Sequence, residues 1–278
     1  MPLALLRRRM AVIEGQHRRV EPMLAATGHA GIDAALGGGL ARGRLHELYA
    51  HEPDDASSTA GFAAMLALML AANSSAVGAP GGAIVWLRQD QAQRRGGGLY
   101  APGLVDIGLD PARLIVGVLA DPLAMLRAAA EVVRCQEVAV AVIELWQRPR
   151  ELDLTASRRL AIATEHSGVS ALMLRVDADP TPSAAWTRWQ VAAAPSAALE
   201  ANAPGHPALD IRLVRQRSRP AEGRWQVEWD REAGIFRDGG SIADRGATAL
   251  PGSGQAALPR TVVPLPPRQP AGNRRRVA

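Results

Sequence analysis

The stretch YAHEPDDASSTAGF, residues 49–62, lies between a β-type run, GRLHELYA, and a strongly helical run, FAAMLALMLAA. A strand, a loop and a helix in that order can form a cradle for phosphate, because backbone N–H groups and the helix N-terminus converge on one anion. The side chains here oppose that chemistry: the loop carries Glu52, Asp54 and Asp55 and no lysine. Lysine is absent from the entire chain, so all 32 basic residues are arginines. Schiff-base catalysis, Ser-x-x-Lys acylation and an ordinary lysine-bearing phosphate loop are therefore excluded.

Other reactive constellations are weak. The histidines at 17, 29, 46, 51, 166 and 206 show neither the i, i+4 pair of a zinc helix nor a cysteine partner. No G-x-S-x-G elbow supports a serine hydrolase. Cys135 is alone, so no internal disulfide is possible, and it reads as a small residue packed in a helix. Arginine clusters remain. Arg212, Arg215, Arg217 and Arg219, with Arg224 across a turn, gather charge at one end of a hairpin, while Arg274, Arg275 and Arg276 do so near the C-terminus. These suit weak, salt-sensitive contacts to DNA phosphates or to a partner protein; the alternative is a solvated face neutralised by neighbouring acids. Trp186 with Trp189, and Trp225 with Trp229, read as core pairs, with a protein-binding hot spot as the second reading.

The elements that would position these groups alternate. Glycines at 37, 38, 39 and 43 mark turns before the β-type segment Leu45 to Tyr49. They precede the strand and miss the G-x-G-x-x-G spacing, which argues against a dinucleotide fingerprint. GAIVWLR (82–88) and RLIVGVL (113–119) have the pattern of buried strands, and Asp121 with Pro122 should start a helix after the second. VAVAVIEL (138–145) reads as a central strand, apolar on both faces. TASRRLAIATEHSG then reads as a helix capped at Thr155 and stopped at Gly168, followed by the strand VSALMLRV. Strands separated by helices predict βαβ units and a mainly parallel sheet. Further on, ALDIRLVRQRSRPAEGRWQVEWDREAGIF predicts an antiparallel hairpin turning at RPAEG, with Trp225, Val227 and Trp229 on one face.

Composition bounds the rest. At 278 residues with 47% hydrophobic and 21% charged side chains, the chain can bury a sizeable core. No apolar run approaches the roughly 20 residues needed to cross a bilayer, and a cytoplasmic location is expected. Residues 1–25 read as a helical arm, 26–236 as one core domain, and 237–278 as a flexible tail rich in Gly, Pro and Arg. From Arg237 onward there are seven arginines and two aspartates, which accounts for the whole formal charge of +5.

GIDAALGGGLARGRLHELYAHEPDDASSTAGFAAMLALMLAA resembles the opening of the RecA recombinase core: a D-x-A-L-G-x-G-G-L-x-x-G-R entry, a strand ending in E-x-Y, a phosphate loop and an apolar helix. With AAWTRWQVAAAPS and RLVRQRSRPAEGRWQVEWDREAGIFR, the chain is similar to the ImuA family of RecA-like proteins of bacterial mutagenic repair, sometimes labelled as cell-division inhibitors of SulA type. The resemblance covers roughly residues 20 to 237. It implies an α/β, RecA-like core with a mainly parallel sheet flanked by helices, a closing antiparallel hairpin and a disordered C-terminal tail. Laid on the RecA pattern, the first motif glycine falls at Ala50, the second at Asp55, the lysine at Ala56 and the magnesium-binding hydroxyl at Ser57. Two like charges at about 4 Å repel by roughly 4 kcal/mol at an effective dielectric near 20, so Asp54 and Asp55 oppose phosphate binding. Near a helix N-terminus the same acids are stabilising, with Ser57, Ser58 or Thr59 expected to cap. Glu144 stands where RecA proteins have an aspartate.

These readings lead to an expectation of no cofactor and no catalysis. The resemblance implies an accessory subunit of the SOS-induced translesion synthesis machinery, working by protein–protein assembly. Its partners would be ImuB, a Y-family polymerase homologue, and through it an error-prone DNA polymerase III alpha-type subunit. RecA would be a further contact, DNA a weak one, and the nucleoid the place of recruitment. The alternatives are a SulA-like division inhibitor, an active ATPase in which Arg42 or Arg44 replaces the lysine, and a direct DNA-binding module.

Overall fold

The alternating strand and helix signals resolve into a nine-stranded sheet covered on both faces, with a two-stranded ribbon beside it. The computed structural model describes residues 22–72, 81–196, 203, 205–218 and 222–239. The chain begins with β1 (Leu24–Ala25), α1 (Ala30–Leu36), β2 (Leu40–Ala41), β3 (Leu45–Ala50) and α2 (Ala56–Ala71). It continues through β4 (Ala83–Gln89), α3 (Asp90–Gly96), α4 (Ala101–Asp106), β5 (Leu114–Leu119), α5 (Pro122–Val132), β6 (Val138–Trp146) and α6 (Leu154–Ser167). It ends with β7 (Ser170–Val176), β8 (Thr187–Ala193), β9 (Ala208–Gln216), β10 (Gly223–Asp230) and β11 (Ile235–Asp238).

Strand order is β11-β10-β9-β8-β3-β7-β6-β4-β5. The six strands from β8 to β5 are mutually parallel, and β9, β10 and β11 extend the sheet antiparallel. The expected α/β architecture is thus the one observed. On one face α2 lies across β3, β6, β7 and β8, and packs with Ile32 and Leu36 of α1 and with Trp189, Trp229 and Phe236. On the other, α5 and α6 bury Met125, Ala129, Leu160 and Ala161 against β3, β6 and β7. All nine residues of β6 are buried, as the unbroken apolar run requires of a strand covered on both sides.

The glycine-rich entry has a steric cause. Gly39 has φ 138°, and a Cβ there would stand 2.3 Å from the carbonyl oxygen of Ala25, the residue β2 pairs with. Gly43, at φ 61°, passes 3.2 Å from Gly168 Cα measured at the position of a Cβ. Side chains at either point would push the β1–β2 ribbon or the start of β3 away from its neighbours.

His46 ties this entry to the sheet. Its Nε2 lies 2.8 Å from the Ala41 carbonyl, which can only accept, so this nitrogen carries the hydrogen. Nδ1 then accepts from the Thr187 hydroxyl at 2.7 Å, and that hydroxyl accepts from Trp189 Nε1 at 2.8 Å. The chain of bonds needs a neutral imidazole, and complete burial pushes His46 down to about 4, only partly offset by the Ala41 carbonyl.

Several expectations are corrected. RLIVGVL is not a buried strand: β5 is the sheet edge, with Ile115, Val116 and Val118 exposed, because it has a neighbour only in β4 and little helix cover. The cap of α6 is Asp153, whose Oδ1 accepts from Ala156 N at 2.7 Å, and not Thr155. Residues 1–21 of the expected helical arm lie outside the described residues, and Leu24 and Ala25, its last members, form β1. The hairpin gains a third strand, β11, which runs to Asp238, past the expected core boundary at 236. Residues 240–278, including Arg274, Arg275 and Arg276, lie outside the described residues.

Candidate functional site

The loop after β3 closes on itself. Pro53–Asp55 form one 3-10 turn that runs directly into α2. Asp55 stands at the helix N-cap position, and its carboxylate accepts from Glu52 N at 3.2 Å and, through Oδ1, from Ala193 N at 2.8 Å. It therefore fastens the loop to the end of β8. The expected caps are corrected: Ser57, Ser58 and Thr59 lie inside α2, and the Thr59 hydroxyl donates back to the Asp55 carbonyl at 2.9 Å. Asp54 is exposed beside this turn.

Beside the loop, at the carboxyl ends of the parallel strands, lies Glu144. The parallel register sets Arg88 of β4 directly opposite it on β6. Arg88 Nε donates to Glu144 Oε2 at 2.7 Å and Nη2 to Oε1 at 3.0 Å. Trp86 Nε1 donates to Oε2 at 3.0 Å and Trp146 Nε1 to Oε1 at 3.1 Å. Period-two alternation places these four side chains on one face, since 86 and 88, and 144 and 146, are two apart. The carboxylate thus has four N–H donors, two per oxygen, which uses the lone pairs a metal ion would need. The pair is also dry, with side-chain exposures of 6% for Arg88 and 5% for Glu144.

The Trp146 indole held by Glu144 forms a small cluster with Ala92 and Val176, and Ala50 and Ala56 pack against that cluster. Ala50 and Ala56 are the positions aligned with the first glycine and the lysine of the phosphate loop. Trp146 N is itself fixed by the Gln89 side-chain oxygen at 2.8 Å, and Gly96 approaches so closely that a Cβ would come within 3.0 Å of the ring. The two ends of the loop, Ala50 and Ala56, are therefore packed beside an indole and small aliphatic groups, while His51 to Asp54 between them are exposed.

On the opposite face of the sheet, β3 and β8 hold a second ion pair. Glu47 Oε2 accepts from Arg188 Nε at 3.0 Å, Arg188 Nη2 at 2.9 Å and the Ser183 hydroxyl at 2.7 Å. Between Arg188 and the buried Arg175 lies the ring of Tyr49, at 5.5 and 5.6 Å. Burial pushes the Tyr49 hydroxyl above its ordinary value, with the Glu47 charge adding to the effect and the two guanidiniums opposing it.

Neither arginine considered as a lysine substitute reaches the loop. Arg42 donates to the carbonyls of Leu70 and, at 3.0 Å, Met69, at the far end of α2. At about 1.5 Å per residue the helix puts roughly 20 Å between those carbonyls and the loop. Arg44 precedes β3, stacks on Trp186 at 5.1 Å and faces Glu165 at 3.8 Å.

The hairpin arginines are brought to one face but not into one patch. Arg212 and Arg224 are register partners, yet Arg224 turns to Asp210, with Nε 2.8 Å from Oδ1. Arg215 pairs in register with Arg188 and donates to the Ser183 carbonyl at 3.3 Å. Arg217 follows the end of β9, and Arg219 lies outside the described residues. Trp189 and Trp229 are core residues, while Trp186 and Trp225 are half-buried. Among the described residues no group of three or more His, Cys, Asp or Glu side chains could hold a metal ion, and no helix is long and apolar enough to cross a membrane.

Residue reasoning missed Arg88, Trp86 and Trp146. A signal existed: a charge inside the apolar run AIVWLR demands a buried counter-charge, and Glu144 is the acid inside the other buried run.

The fold and this site define an α/β protein with a strand, a loop and a helix in the order of a phosphate-binding domain, and with acidic side chains and no lysine in the loop. No family model matches the chain. It is 33% identical over 241 residues to "Protein ImuA" of Caulobacter vibrioides, in strains NA1000 / CB15N and ATCC 19089, covering 83% of this chain and 86% of that protein. A crystal structure of the RadB recombinase is similar with a TM-score of 0.49 and 16% identity, covering 75% of this chain and 97% of that one. The chain belongs to the ImuA family.

Proposed function

We propose that this chain is a non-catalytic assembly subunit of the translesion synthesis machinery induced by DNA damage. The observation that supports the reading is the Glu144–Arg88 pair: the carboxylate aligned with the RecA aspartate already receives four N–H donors, beside a loop with Asp55 and Ala56 at the aligned glycine and lysine positions. The absence of any lysine supports the same reading. Freed from nucleotide binding, such a core contributes surfaces. The resemblance to ImuA proteins supplies the partners: ImuB, through it an error-prone polymerase of the DNA polymerase III alpha type, and RecA as a further contact. The protein would work in the cytoplasm and join the nucleoid where damage recruits it.

Isothermal titration with ATP and magnesium tests the non-catalytic part, and no heat of binding is expected. Micromolar affinity would overturn it. Co-purification with the product of the neighbouring gene tests the assembly part, with a stable complex expected.

A further inference from the structure

The outer surface of α6 carries a stripe that the fold leaves uncovered. Leu154, Arg158, Ile162 and Glu165 follow one another at intervals of four, four and three residues, so they share one helix face. Leu154 and Ile162 are 46% and 47% exposed. Between this stripe and the end of β9 lies a cleft of about 330 Å³, floored by Ala161 and Ala184 and walled by Arg158, Arg215 and Arg217. A second, larger cleft of about 760 Å³ runs along the other side of Ile162, toward α5, with Arg159, Arg134 and His166 on its rim. Ile162 is the ridge shared by both.

Arg134 pairs with Glu131, but most of these charges lack an acidic partner among the described residues. The one acid lining the first cleft, Glu165, faces Arg44 at 3.8 Å. Among the described residues, none of the ion pairs includes Arg158, Arg159, Arg215 or Arg217. The chain before Arg237 has equal numbers of acidic and basic residues, so a local surplus of guanidinium charge here is a matter of placement. A concave surface lined mainly by one sign of charge focuses its field onto whatever anion enters.

We propose that this double cleft binds an acidic segment of a partner protein, with an aliphatic side chain seated beside Ile162 and flanking carboxylates on Arg158, Arg215 and Arg217. The exposed Leu154 and Ile162 decide between the two anionic polymers. A phosphodiester backbone leaves Leu154 and Ile162 in water, whereas a peptide with leucine among glutamates covers them and pairs with the arginines, which are themselves favoured in interface anchors. The volume of the first cleft suits one or two side chains and not a duplex groove. The proposal rests on the reading of the chain as an assembly subunit and adds the surface and the chemistry of the partner.

The test is fluorescence anisotropy on the full chain with a labelled peptide that carries two leucines one helical turn apart among glutamates. The same peptide with serine for both leucines, and an oligothymidylate of equal charge, serve as controls. The leucine peptide should bind, and Arg158→Glu and Ile162→Ser should each weaken it by about tenfold or more. The serine peptide should bind correspondingly less, Arg224→Glu on β10 should leave peptide binding unchanged, and the melting temperature should hold for Arg158→Glu and Ile162→Ser because both positions are exposed. Absence of binding, equal binding of the serine peptide, or displacement by the oligothymidylate would overturn the proposal. Such a failure with no heat from ATP leaves the assembly reading standing, whereas a bound nucleotide defeats that reading whatever the peptide does.

Discussion

Glu144→Gln is the change that most directly probes the site. The wild-type carboxylate receives N–H donors from Trp86, Arg88 and Trp146, and the Arg88 guanidinium is 6% exposed beside it. Glutamine offers one acceptor oxygen and puts an NH2 group against two of those donors, while Arg88 keeps a buried charge without a counter-ion. Breaking a buried pair in this way costs about 3 to 5 kcal/mol. In a domain of this size that corresponds to a fall in melting temperature of roughly 6 to 20 °C. The combined Arg88→Met, Glu144→Leu variant removes both charges and keeps the volume but leaves the Trp86 and Trp146 indole N–H groups without an acceptor, at about 1 to 3 kcal/mol each, so it should recover only the part of the loss due to the unpaired charge. Urea unfolding with unchanged slope gives the stability of each variant, and the cycle gives the coupling. If Glu144 were instead poised as a metal ligand, its removal would relieve a buried charge. A loss below about 1 kcal/mol for Glu144→Gln, or a magnesium-dependent rise in the wild-type melt at constant ionic strength, would refute the reasoning.

Three further outcomes follow from the geometry. His46 is held near 4 in the fold against 6.5 when unfolded, so the unfolded chain binds more protons between those values; its contribution is complete above pH 6.5 and lost as pH falls toward 4. About 3 kcal/mol, at roughly 1.4 kcal/mol per unit, should disappear over that window, and urea midpoints of His46→Gln should be flatter with pH. Restoring the motif with Asp55→Gly and Ala56→Lys should not create ATP binding by titration, because Glu52 and Asp54 keep their carboxylates in the loop and Glu144 stays paired with Arg88, and it should lower stability because Ala193 N loses the Asp55 carboxylate. Gly39→Ala sets a Cβ 2.3 Å from the Ala25 carbonyl at φ 138° and should cost about 2 kcal/mol or more in a thermal melt, whereas Gly61→Ala, with nothing near it, should be neutral or stabilising.

Much of the fold was legible because its signals are local. Asp121 caps α5 through Ala124 N and Pro122 follows it, both written in adjacent letters. Gly168 ends α6 in the left-handed conformation at φ 79°. Asp153 was passed over for Thr155 because either residue type can cap, and the choice depends on where the first helical turn begins. The strand β8 was not distinguished as an element although its Trp189 was, even though its seven residues alternate buried and half-buried along nearly their whole length. RLIVGVL reads as buried because apolarity measures what a strand could cover and not what lies over it.

The amino-acid sequence alone determined that lysine chemistry is impossible, that acids crowd the phosphate loop and that strands alternate with helices, since each is a property of residue types and short spacings. Only the tertiary structure decided what Glu144 does. Its partner Arg88 lies 56 residues away, and their meeting depends on β6 lying beside β4 in parallel register, which is set by how helices pack on the two faces. The same long-range order placed β5 at the edge and turned Arg158, Arg215 and Arg217 toward one cleft, because neighbours across a sheet are chosen by packing and not by proximity in the chain.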